Sequence, residues 1–189
     1  MSFRYKVNYM MKKMFHNFEI IEQSKIDEYK YPGVWAMFGI KKGNNSSKYI
    51  CLNVGKNKCI GDELKIDFER LECFTSFREK IYKNQFNEEK FTYKEYATRQ
   101  DWLYKEISEK YESIIIILVT NETEKLYTIE KNFAYSTKAA YWVSNGRYSP
   151  NRVIDSLEIS KIRNNINIAE IDKSLIKKID EFKKWYDNQ

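Results

Sequence analysis

The chain has 189 residues, 42% hydrophobic and 16% aromatic, with 2 prolines, which is enough length and apolar content for one good core and argues against a disordered chain. Lys and Arg outnumber Asp and Glu by 33 to 27, and the formal net charge of +6 favours a polyanionic partner through counterion release, although a solvated lysine-rich surface carries the same excess. Three cysteines without a C-x-x-C pair (Cys51, Cys59 and Cys73) and one histidine, His16, speak against a zinc site or a disulfide framework.

The longest apolar run, Ile114 to Val119, falls far short of the roughly 20 residues that span a bilayer. The basic start MSFRYKVNYMMKKMF has no continuous apolar block and no small-residue cleavage site, so the expected location is the cytoplasm. Residues 1 to 31 mix charges and aromatics without a period and read as an N-terminal arm. After the turn signal Pro32-Gly33, VWAMFGI predicts a strand, and KYICLNVG predicts a second, joined to the first in an antiparallel hairpin through the polar loop KKGNNSS.

From Asp62 to about Phe86 the residues Leu64, Phe68, Leu71, Phe74, Phe77 and Ile81 recur every three or four positions, predicting a long or broken helix. Residues 90 to 99 are ambiguous, 101 to 111 predict a helix with Leu103 and Ile107 four apart, and Ile114 to Val119 predicts a buried strand. Thr120 and Asn121 offer caps for a helix through about Tyr135. Beyond Pro150, Ile171, Leu175, Ile176, Ile179, Phe182, Trp185 and Tyr186 form one helical stripe, which predicts an amphipathic helix packed on the core in preference to a dimer contact. The expected class is α+β: a small antiparallel or mixed three-stranded sheet flanked by helices, divided as arm (1–31), core (32–148) and C-terminal helical extension (149–189).

Glu130 breaks the pattern of its helix. With Leu126 at zero and about 100° per residue, Glu130 falls inside the apolar stripe shared with Ile129 and Phe133. A carboxylate there must be paired, shifted in pKa or bound to a cation, unless it flanks the stripe and bends to water. Magnesium is satisfied by one or two carboxylates when phosphate oxygens and waters complete its shell, so a single glutamate is compatible with phosphodiester chemistry.

The ordered set PGVWAMF, LNVGKN, a helix with arginines, IIIILV, a helix bearing Glu130, and then Trp142 and Asn145 resembles the GIY-YIG nucleases over residues 32 to 148, with the restriction-endonuclease branch closest in layout. Gly33-Val34-Trp35 stands at the GIY triplet and Asn53-Val54-Gly55 at the YIG triplet. The resemblance implies a metal-dependent DNA endonuclease of restriction type. Glu130 would be the ligand of one magnesium or other divalent ion, and Arg78, with Tyr82 one turn later, would lie at the scissile phosphate, with Arg70 as the alternative arginine. Asn145, Trp35 and Asn53 would complete the catalytic set.

Lys56, Lys138, Arg147 and Arg152 are the expected DNA contacts, the last three in a basic-aromatic stretch with Tyr141 and Trp142. RNA stays open as the partner, and cutting both strands together implies a homodimer. The chain departs from the family where the family has tyrosines: Trp35 is a donor only and Asn53 is no base at neutral pH. The water would then be activated by another group, with Tyr31 and Tyr49 the nearest in sequence, or the fold serves as a non-catalytic nucleic-acid-binding module.

Overall fold

The computed structural model describes residues 15, 18–43, 48–76, 99–142 and 166–189, with the backbone alone at 73–76, 99, 100 and 102. In chain order the elements are β1 (Glu19–Ile20), a 3-10 turn (Gln23–Glu28), β2 (Gly33–Lys41), β3 (Tyr49–Asn57), α1 (Ile60–Ser76), α2 (Arg99–Lys110), β4 (Tyr111–Thr120), α3 (Leu126–Thr137), a second 3-10 turn (Ile168–Glu170) and α4 (Lys173–Asp187). All strand pairings are antiparallel, in the order β1-β4-β2-β3.

Strands apolar at successive positions need cover on both faces. In β2, Val34, Ala36 and Phe38 face a cluster formed with α3 and α4, whereas Trp35 and Met37 face a second cluster formed with α1 and α2. The sheet is therefore the middle of three layers. Its register on β3 slips between Met37 and Phe38, where Leu52 and Asn53 both fall on the α1 side, since Met37 lies opposite Asn53 and Leu52 packs in that cluster.

The expected α+β class holds, but the sheet has four strands among the described residues, not three. The added strand, β1, is two residues long, too short for a period to show in sequence, and it pairs with Ile117 and Leu118. Phe15, Phe18 and Ile20 from the same stretch are buried against the α3 and α4 layer. The third helix also begins later than the capping residues suggest. Thr120 is still paired with Val34 in the sheet, and its Oγ1 accepts the Glu122 N–H at 3.1 Å in a local turn. The chain then enters α3 through Lys125 at φ 59°.

The stripe on α4 covers the core as expected: Leu175, Ile179 and Phe182 are buried, with the Phe182 ring 5.4 Å from Phe18 and 5.6 Å from both Phe38 and Phe133. The Asp172 carboxylate caps the helix by accepting from the Ser174 and Leu175 N–H groups. β3 is an outer strand, and its first half is covered. Gln189 exchanges side-chain hydrogen bonds with the Tyr49 N–H and C=O, and the Ala140 and Tyr141 N–H groups donate to the Cys51 and Leu52 carbonyls. This turn after α3 carries Trp142 back toward its own helix.

Candidate functional site

The far half of β3 assembles the charged groups. Gly55 lies opposite Trp35, and a methyl group there would meet the indole at 2.5 Å, so the absent side chain lets the ring lie flat across the strand. That places the Trp35 Nε1–H 3.0 Å from Glu63 Oε2, in the first turn of α1. The Asn57 side chain, whose Oδ1 accepts the Cys59 N–H at 2.9 Å, favours the charged form of the same carboxylate.

Lys56 lies opposite Val34 and so projects to the other layer, where its Nζ is 3.5 Å from Glu130 Oε2. The second Glu130 oxygen accepts the Trp142 Nε1–H at 3.1 Å. The carboxylate singled out within an apolar stripe is thus 14% exposed and paired, as burial of a charge demands. Burial pushes its pKa up, Trp142 and Lys56 pull it back, and the Glu63 charge adds a further upward push. Glu63 is likewise raised by burial and lowered by Trp35, Asn57, Lys56 and Arg70. Two carboxylates from opposite layers therefore both feel the charge of Lys56, whose ion pair is with Glu130.

Tyr127, one turn before Glu130, is 47% exposed and has Lys131 Nζ 4.0 Å and Lys56 Nζ 5.3 Å from its ring centre. Lys131 is buried with its ammonium over one face of the ring, so only the remaining exposed part of the ring is open to stacking on a base.

Trp35, Lys56 and Glu130, from positions far apart in sequence, are brought into this cluster. Asn53 is buried on the α1 face of β3, two residues before Gly55. Lys138 is exposed at the C-terminal cap of α3, eight residues beyond Glu130 and so about 12 Å further along the helix. Arg78, Tyr82, Asn145, Arg147, Arg152 and His16 lie outside the described residues.

Arg70 is bound elsewhere. Its guanidinium donates to Asp67 and Asp101, each at 3.1 Å, and stacks over Tyr104 between α1 and α2. Of the two nearest tyrosines, Tyr49 is buried at the start of β3 against Phe15, and Tyr31 feels the charges of Glu19 and Glu28. Glu63, Asn57 and Tyr127 were not singled out by sequence. Glu63 is one of several acids on α1, and the only signal available was its place in the turn that follows the Asn53-Val54-Gly55 strand.

Among the described residues no three His, Cys, Asp or Glu side chains group to hold a metal, so no all-protein cage is built there. Glu130 keeps one oxygen on Trp142 and has the other 3.5 Å from Lys56, so a cation bound by this carboxylate would take the place of Lys56. Comparison with protein-family models, curated proteins and solved structures gave no match.

Proposed function

We propose that the protein is a divalent-metal-dependent DNA endonuclease of the GIY-YIG type that hydrolyses phosphodiester bonds, with Glu130 as the protein's metal ligand. The observation that carries this reading is the meeting of Lys56, from the strand that resembles the YIG segment, with Glu130, 74 positions later, on a half-buried margin of the sheet. A magnesium ion bound there would polarise the phosphate and offset charge on the leaving oxygen.

Trp142 fixes the orientation of the Glu130 carboxylate. With a cation held by Glu130, Lys56 would be free to donate to a phosphate oxygen. Tyr127 would receive the nucleotide beside it. Arg78, with Tyr82, remains the proposed phosphate contact, and a restriction-type enzyme acting as a homodimer is the proposed form.

The test is incubation of the full chain with long mixed-sequence duplex DNA, with magnesium and with chelator. Magnesium-dependent fragments that vanish in Glu130→Gln, while a native gel still shifts, support the enzyme. The use of the Trp35 N–H as a donor to Glu63 favours a second reading, a binding module that has lost the family's nucleophile-activating tyrosine. DNA that shifts but stays intact with every divalent ion supplied would decide for that module.

A further inference from the structure

We propose that Glu63 takes the proton from the attacking water, in the place where the related nucleases use a tyrosine. This inference rests on the nuclease reading and names the group that reading leaves open. Trp35, at the tyrosine position, has only a donor, and it spends that donor on Glu63 Oε2 at 3.0 Å. The indole is wedged against Gly55, so the carboxylate is held by a rigid group. Glu63 therefore delivers to the tyrosine's end of the cluster the proton acceptor that Trp35 cannot supply.

The titratable groups around Glu63 come from every layer, Lys56 on β3, Asp67 and Arg70 on α1, Tyr104 on α2 and Glu130 on α3, with the neutral Trp35 on β2 and Asn57 on β3 beside them. Glu63 belongs to the α1 layer and Glu130 to the α3 layer, and the Lys56 charge favours the ionised form of both. Burial raises the Glu63 carboxyl toward the operating pH, the direction that improves a general base.

In the step, the water oxygen bonds to phosphorus as its proton passes to Glu63. The phosphorus bond to the leaving sugar oxygen breaks, that oxygen takes a proton from solvent, and Glu63 returns its own to solvent.

Glutamine keeps the size of Glu63 and accepts from Trp35 as the carboxylate does, but it takes up no proton. Glu63→Gln therefore separates the roles. In single-turnover cleavage of duplex DNA with magnesium, the expected result is a rate lowered about 10² to 10⁴-fold. DNA affinity and the magnesium-induced rise in melting temperature stay as in the wild type, whereas Glu130→Gln loses both the cleavage and the thermal shift. A Glu63→Gln rate within a few-fold of wild type overturns this assignment and leaves the nuclease reading standing. A wild-type chain that cuts no DNA overturns the nuclease reading and this one with it.

Should Glu63→Gln fail to fold by circular dichroism, Trp35→Phe carries the test. It keeps the carboxylate but frees it, so the rate should fall by up to about a hundredfold with affinity kept, and an unchanged rate overturns the proposal.

Discussion

A carboxylate carried into a helix face that packs on a sheet loses hydration and must be compensated, and three acids in this chain meet that demand differently. Glu130 has Lys56 and Trp142, Glu63 has Trp35 and Asn57, and Asp67, 1% exposed, has Arg70 on one oxygen. The second Asp67 oxygen and the Tyr104 hydroxyl lie close together without an aligned hydrogen bond. Burial pushes the Asp67 carboxyl up to about 7. A folded pKa above the unfolded one means that the native state holds the proton more tightly, so this stability is present below about pH 4 and is lost as pH rises through 7. The urea midpoint of the wild type should fall between pH 5 and pH 8, and Asp67→Asn should shrink that fall; equal falls in the two proteins would dismiss the assignment. If Glu130 is a metal ligand as proposed, magnesium adds stability at that residue. Near a hundred times its dissociation constant it should stabilise the wild type by about 2.7 kcal/mol, an increment that thermal melts should find missing in Glu130→Gln.

At the scale of elements, β3 and α4 carry different loads. Gly55 is dictated by the indole lying on it, because an added methyl would sit 2.5 to 2.9 Å from three indole atoms. Gly55→Ala should cost about 1–3 kcal/mol in denaturant unfolding through overpacking, and should displace Trp35 from Glu63, visible as a shifted indole fluorescence. The fluorescence change distinguishes it from a general loss of strand propensity. The helix α4 is held by its apolar face, with Phe182 fully buried among Phe15, Phe18, Phe38 and Phe133. Phe182→Ala should cost about 3–5 kcal/mol by urea titration. Substituting Lys177 or Glu181, an exposed pair on the same helix 4.0 Å apart, should move the midpoint little.

For the whole molecule, an antiparallel sheet of this kind has two outer strands to protect, and the chain uses its own distant parts to do it. The C-terminal Gln189 and the turn at Ala140 and Tyr141 cover the start of β3, leaving the charged cluster at the far half of that strand. The net charge of +6 bears on association rather than on fold. If DNA is the partner, affinity should fall steeply between 50 and 200 mM salt, roughly a thousandfold for about six phosphate contacts. Lys138→Gln should lower the slope of log affinity against log salt by about one if that exposed lysine meets a phosphate, and should leave it unchanged otherwise.

Much of this architecture is local information and is legible in the chain itself. Continuous branched and aromatic runs predict β2, β3 and β4 within a few residues, a 3.6-residue stripe predicts both α4 and the face it buries, and a charge within such a stripe marks Glu130. Period alone does not tell which of several acids on α1 meets Trp35, because Asp62, Glu63, Asp67, Glu69 and Glu72 read alike in sequence and differ only in what packs against them. A two-residue strand such as β1 has no period at all, and the pairing of Lys56 with Glu130 spans 74 positions. Local pattern along the chain settles which segments become strand or helix and which side chain is out of place. Which charges meet is settled in three dimensions, because contacts between layers depend on strand order and register, and these follow from packing the whole core at once.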